Sequence, residues 1–124
     1  MKPTTKAWLD KSDRDFEAAN WDLQKTGVPL HDDVCFHCQQ CIEKLMKAVL
    51  AEHAVHFPKT HDLKDLAVLV ASAAPGWSAS LHDLNVLYPG AVEYRYPGND
   101  ATQQEALDAM AACTQVRTSL IPLI

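Results

Sequence analysis

The sequence has no long hydrophobic run, no stretch typical of a secretory signal and no excess of positive charge. No stretch of its 124 residues approaches the roughly 18 uninterrupted apolar residues of a membrane-spanning helix. The opening letters, "MKPTTKAWLDKSDRDFEAA", turn acidic and polar at once, unlike a signal peptide. We therefore expect a cytoplasmic protein without a membrane partner, in which the four cysteines are thiols rather than disulfides.

The charge balance limits the kind of nucleic-acid contact that the chain can make. Its formal net charge is −5 and its isoelectric point is near 5.6. These values argue against a broad cationic surface for nucleic acid, and they leave room for a small local basic site.

The chain also lacks internal repeats, low-complexity tracts and linkers that would separate two domains. Its length fits one domain, and hydrophobic residues make up 48% of it, which suits a chain with its own core. We expect residues 1–124 to form a single helical domain.

No segment alternates apolar and polar residues, so a β-sheet has no support. Apolar residues recur instead at spacings of three and four, between breakers such as "HFPKTHD" and "PGND". This pattern predicts an all-α fold, an up-and-down antiparallel bundle of about five helices that resembles a four-helix bundle. The predicted helices cover about 5–26, 32–54, 62–74, 78–88 and 102–119, and 91–96 resumes a helix after an interruption at Pro89 and Gly90.

Three cysteines at C-x2-C-x2-C spacing in "CFHCQQCIEKLMKAVL" (35–50) resemble the start of an iron–sulfur or zinc site. On a continuous helix, however, Cys35 and Cys41 are separated by a rise of about 9 Å and cannot reach one metal. No fourth ligand is nearby, and a pair formed by His37 and Cys41 is weak evidence. A Cys–His nucleophile has no orienting third group or oxyanion motif. We predict buried thiols and no metal, with any redox role of Cys35, Cys38 and Cys41 left open.

Polar residues occupy the other side of the same helix: His37, Gln40, Glu43, Lys44 and Lys47. Taken alone, such a stripe is typical of a solvated helix face.

Two further stretches contain residues that suit the binding of an anion or a base. In "KTHDL", His61 stands at the start of a helix, where free N–H groups favour an anion. In "EYRYPG", Arg95 stands between two tyrosines, which suits a phosphate or a stacked base. The alternative is a helix terminus at which Arg95 pairs with a buried acid and the tyrosines pack.

These stretches, in this order and spacing, resemble the HEPN domain family. The resemblance rests on Q-Q-x-x-E-K-x-x-K, T-H-D-L and R-Y-P together, and it extends to "RDFEAANWDL" (14–23) and "TQQEALDAMAACTQV" (102–116). It implies a helical bundle of about five helices that forms a homodimer and is linked to nucleotide or RNA chemistry. Many such domains are encoded beside a minimal nucleotidyltransferase, in a toxin–antitoxin-like pair. The family commonly has alanine at the positions of Cys38 and Cys41, which fits small core residues.

The chain departs from the family's metal-independent ribonucleases, which use an R-x4–6-H motif. Between Tyr96 and Thr102, the window after Arg95, there is no histidine, and neither Arg14 nor Arg117 supplies the motif. We therefore do not expect ribonuclease activity by the family mechanism. The R-Y-P letters resemble the branch associated with nucleotides and nucleotidyltransferases.

The leading hypothesis is a homodimer that binds a nucleotide, a nucleotidyltransferase partner or both, without a cofactor or metal. Arg95 and Lys44 would hold phosphate, Tyr96 would stack or hydrogen-bond, and Gln40, Lys47 and His61 would line the site. One alternative is a metal-independent RNA-cleaving toxin whose base is His61 or His37. Another is a structural dimerisation module without a ligand.

Overall fold

The chain folds entirely into helices. The computed structural model describes residues 1–124 and contains no strand. Its α-helices are α1 (Pro3–Gln24), α2 (His31–Glu52), α3 (Leu63–Ala73), α4 (Leu81–Leu87), α5 (Pro89–Val92) and α6 (Gln103–Leu120). Tyr88, between α4 and α5, keeps helical backbone angles (φ −56°, ψ −45°), so these two segments form one interrupted helix. The prediction of an all-α bundle of about five helices is confirmed. None of the helices combines the length and hydropathy that crossing a bilayer requires.

Helix α2 lies at the centre of the bundle. It contacts each of the other five α-helices, and 13 of its 22 residues are buried. Its fully buried apolar residues include Ile42, Leu45, Met46, Val49 and Leu50, which pack with side chains of α3, α4 and α6. Because α2 is covered on most sides, three of its polar residues are buried, namely Gln39, Glu43 and Lys47.

Helix ends agree with the sequence where a capping side chain acts locally. Thr102 and Glu105 form a complete capping box at α6, and the Asp62 carboxylate accepts a hydrogen bond from the Lys64 N–H at α3. Asp32 or Asp33, each a residue type suited to an N-cap at the predicted start of this helix, would be expected to cap α2, but the helix begins at His31 with Leu30 at its N-cap. The Asp32 carboxylate instead accepts a hydrogen bond from the Ala101 N–H at 2.6 Å, which fixes the loop before α6.

Gly90 sets the distance between α5 and α2. A Cβ atom at this position would overlap the backbone carbonyl of Cys35, and it would also lie close to the Phe36 nitrogen. Only glycine lets the α5 backbone lie directly on α2. This contact places the segment after α5, which contains Arg95, beside the α2 side chains.

The cysteines lie within an unbroken helix, as the geometric argument requires. Cys35, Cys38 and Cys41 all belong to α2, and they and Cys113 are buried thiols. Burial is the main cause that raises the pKa of the Cys35 thiol to about 12. The Cys38 thiol contacts the Met110 sulfur at 3.8 Å. No group of three or more His, Cys, Asp or Glu side chains is arranged to hold a metal ion. The prediction that the thiols are buried is confirmed.

Candidate functional site

A cavity of about 680 Å³ opens between α2, the segment before α3 and the segment that follows α5. It brings together four of the six residues predicted for the site, namely Gln40, His61, Arg95 and Tyr96. The other lining residues are Phe36, Ala91 and Val92. The four predicted residues come from parts of the chain that are distant in sequence, so only the fold assembles them.

The guanidinium of Arg95 lies over an aromatic ring and has no polar partner in the protein. Arg95 ends a short 3-10 turn, Glu93–Arg95, and its guanidinium carbon is 5.7 Å from the centre of the Phe36 ring. It makes no ion pair with any carboxylate. The alternative in which Arg95 pairs with a buried acid is therefore not what the structure shows. Its planar donors remain open to the cavity.

The two tyrosines that flank Arg95 have different surroundings. The Tyr94 hydroxyl donates a hydrogen bond to Glu105 at 2.5 Å, which ties this segment to α6. Burial and that hydrogen bond raise the pKa of Tyr94 above its ordinary value. Tyr96 is 62% exposed and lies at the cavity wall. Tyr94 therefore holds the segment in place, and Tyr96 is free to contact a ligand.

His61 is oriented by a buried carboxylate. Its Nδ1 atom is 3.0 Å from an oxygen of Glu43, which is 3% exposed, whereas the His61 side chain is 79% exposed. An ionised carboxylate can only accept, so Nδ1 carries the proton and donates it to Glu43. In the neutral ring, Nε2 is then the acceptor nitrogen.

Glu43 also accepts a hydrogen bond from Lys47, and both residues are buried. The interpretation of this helix face as solvated is therefore wrong for these two residues. The Lys47 amine is 3.1 Å from the second Glu43 oxygen and is only 7% exposed. It also lies 5.3 Å from the centre of the Trp8 ring and 5.9 Å from that of Phe57. Side chains from α1 and from the segment after α2 thus cover a pair that the sequence places on an exposed stripe.

Neither lysine of the predicted site lines the cavity. Lys47 is paired with Glu43, and Lys44 donates to the Asp15 carboxylate at 2.6 Å, which links α2 to α1. His37, the other candidate base, lies 2.7 Å from Asp22 and is likewise absent from the cavity wall.

Two residues of the site are not among those predicted from the sequence, Phe36 and Gln39. Phe36 precedes Gln40 by one helical turn and so shares its face. Gln39 is fully buried, and its amide nitrogen donates to Glu43 at 3.2 Å and to the backbone carbonyl of His61 at 3.1 Å. The Gln40 amide nitrogen in turn donates to the Gln39 oxygen at 2.8 Å. The doublet "QQ" contains both residues, but it does not show which of them is buried.

Comparison with known proteins gives one match. The model of the HEPN domain family matches residues 5–121. No curated protein and no solved structure matches the chain.

Proposed function

The chain belongs to the HEPN domain family, and from that premise we propose that it binds a nucleotide in the cavity lined by Phe36, Gln40, His61, Arg95 and Tyr96. The observation that carries this proposal is the unpaired Arg95 guanidinium, which lies over the Phe36 ring and is open to a cavity with an exposed aromatic side chain. The volume of about 680 Å³ lies within the range of small-molecule sites. Residues 1–124 would act as one domain, of the branch marked by R-Y-P.

The phosphate would bind on the Gln40 side of Arg95. On the other side, a hollow of about 320 Å³ shares Phe36 and Arg95 but is also lined by Asp32 and Asp33. Those carboxylates repel an anion, so the charges direct phosphate into the larger cavity. Because Lys44 and Lys47 are held by carboxylates, Arg95 would be the main cationic phosphate donor. Tyr96 would stack on the base.

Calorimetric titration with AMP tests this proposal. We expect Arg95→Ala to weaken AMP binding by about 10- to 100-fold, since a hydrogen bond to a charged group contributes about 1.5–3 kcal/mol. Arg14→Ala is the matched control, because Arg14 is exposed on α1, pairs with no carboxylate and does not line the cavity. The control should bind AMP like the wild type. Absence of AMP binding to the wild type, or equal losses in both variants, contradicts the proposal.

Family membership also supports a homodimer that pairs with a minimal nucleotidyltransferase, in a toxin–antitoxin-like arrangement. Exposed apolar side chains at the cavity rim, Val92 and Tyr96, and nearby Tyr88 are available for such contacts. Light scattering tests the dimer, and co-purification with a co-expressed nucleotidyltransferase tests the partner. A monomer that retains no such protein would exclude both.

A second candidate function, metal-independent RNA cleavage, is favoured by the contact between Glu43 and His61. An imidazole that is oriented by a carboxylate suits removal of the proton from a ribose 2′-hydroxyl. The His61 Nε2 atom would take that proton as the 2′-oxygen attacks phosphorus; the bond from phosphorus to the 5′-oxygen then breaks, the 5′-oxygen takes a proton from water, and a 2′,3′-cyclic phosphate remains. Arg95, on the same cavity, would stabilise the charge on the phosphorane.

Incubation of the protein with RNA in the presence of EDTA tests this second function. We expect His61→Gln to lower the cleavage rate at least about 100-fold, within the range of general acid–base catalysis. His37→Gln, which changes a histidine paired with Asp22 outside the cavity, should leave the rate unchanged. No cleavage by the wild type, or equal rates in the wild type and His61→Gln, excludes this function.

A further inference from the structure

We propose that the cavity selects a base with an amino group on its edge, adenine or cytosine, over a base with a carbonyl there. We infer that Gln40 makes this selection because its amide is held in one orientation. The inference rests on the proposed nucleotide binding and names the class of nucleotide.

A glutamine side chain on a protein surface usually does not discriminate in this way. Its amide has an acceptor oxygen and a donor nitrogen at nearly the same position, and rotation by half a turn exchanges them. Such a side chain adapts to either an amino group or a carbonyl. Selectivity requires that something else fixes the amide.

Glu43 fixes it from inside the protein. One Glu43 oxygen lies 3.1 Å from the Lys47 ammonium, an opposite charge that favours the charged form of the carboxylate, and the other oxygen lies 3.0 Å from the His61 Nδ1 atom. The carboxylate is therefore ionised and can only accept hydrogen bonds. The neighbouring amide must turn its nitrogen toward it.

Gln39 is oriented by Glu43 and in turn fixes the orientation of the Gln40 amide. Its nitrogen lies 3.2 Å from Glu43 and 3.1 Å from the backbone carbonyl of His61, so both of its N–H groups face acceptors. Rotation of this amide would set an oxygen against two acceptors in a fully buried place, which is costly. The Gln39 oxygen must then accept, and the group that faces it is the Gln40 nitrogen, 2.8 Å away.

The Gln40 oxygen is left for a ligand. It accepts no hydrogen bond within the chain, and it is not among the sealed, unpartnered polar atoms, of which Arg117 Nε is the one case. Gln40 lines the cavity, so its oxygen is accessible there, next to the one N–H that its nitrogen still has. Adenine and cytosine present an amino donor beside a ring-nitrogen acceptor, which matches this pair.

His61 adds a second acceptor to the same wall. Because its Nδ1 donates to Glu43, its Nε2 atom accepts in the neutral ring. An amino group has two N–H bonds, and the wall offers two acceptors for them. A carbonyl in the same place would face two acceptors, which repel it.

Calorimetric comparison of AMP with IMP tests the inference, because the two nucleotides differ by an amino group against a carbonyl. We expect the wild type to bind AMP at least about tenfold more tightly than IMP, the effect of one hydrogen bond gained or left unmade. CMP and UMP should show the same order. Gln40→Leu should weaken AMP binding and strengthen IMP binding, because it removes one of the two acceptors that repel the carbonyl, so that the ratio falls toward one.

The outcomes separate this inference from the proposed function. Equal affinities of the wild type for AMP and IMP, both lowered by Arg95→Ala, overturn the selectivity and leave nucleotide binding in place. A preference for AMP that is as large in Gln40→Leu as in the wild type overturns the role of Gln40. Failure of all four nucleotides to bind the wild type overturns the proposed function, and the inference falls with it.

Discussion

Replacement of Glu43 by alanine should lower the free energy of unfolding by about 3–5 kcal/mol, the cost of leaving a buried charge without its partner. Glu43 is 3% exposed and receives hydrogen bonds from Lys47, His61 and Gln39. Its removal leaves the Lys47 amine buried among Trp8 and Phe57 with no carboxylate. Urea denaturation, followed by circular dichroism, measures the loss.

Two further variants show whether the loss arises from the unpaired lysine. Glu17→Ala removes an exposed α1 carboxylate with no ion pair, and it should change stability by less than about 0.5 kcal/mol. The double variant Glu43→Leu with Lys47→Met removes both charges, and it should recover most of the stability lost in Glu43→Ala, because apolar replacements of buried pairs are often neutral or stabilising. A double variant as unstable as Glu43→Ala alone would contradict this account.

Replacement of Gly90 by alanine should both destabilise the protein and disable the cavity. The new methyl group would overlap the Cys35 carbonyl, and neither backbone can move freely because both belong to helices. Overpacking of this kind costs about 1–3 kcal/mol. If the structure relaxes instead, α5 must shift away from α2 and carry Arg95 off the Phe36 ring. AMP affinity should then fall at least about tenfold, as for loss of the Arg95 contact itself.

Gly27→Ala provides the control for this variant. Gly27 has a φ of +92° and nothing within 4 Å of the added Cβ, so it tests backbone strain without overlap. It should lose about 1–2 kcal/mol and keep its AMP affinity, since it lies in the turn before α2. If Gly90→Ala binds AMP as tightly as Gly27→Ala, then the contact between α5 and α2 does not position the site.

The helices follow from the sequence because their causes are local. Apolar spacing, Pro and Gly breakers and the caps at Asp62 and Thr102 act within a few residues, so the elements can be predicted without the fold. Asp32 has a partner that the neighbouring sequence does not indicate. Its carboxylate could have capped α2, but it binds the Ala101 N–H, a partner 69 positions away that the fold alone brings near.

The candidate site likewise combines residues that the sequence identifies with contacts that only the fold determines. Motif letters identify Gln40, His61, Arg95 and Tyr96, and the fold places all four on one cavity. Spacing along α2 also pairs Glu43 with Lys47, as the structure has it. It does not show that Trp8 and Phe57 cover this pair, because burial depends on contacts from other segments. For the same reason Lys44 reads as a phosphate ligand until Asp15 is placed beside it.

The central position of α2 has a consequence during synthesis of the chain. Its cover on one side is α6, which begins at Gln103, 51 residues after α2 ends at Glu52 (103 − 52). At a synthesis rate of about 5–20 residues per second, the ribosome reaches α6 roughly 3–10 seconds after it completes α2, and this side of α2 stays uncovered for that time. The side chains that meet there include Cys38 with Met110 and Cys41 with Cys113. Until α6 is made, the unfinished chain exposes the Cys38 and Cys41 thiols together with branched apolar side chains of α2, and such transiently exposed surface is where nascent chains associate.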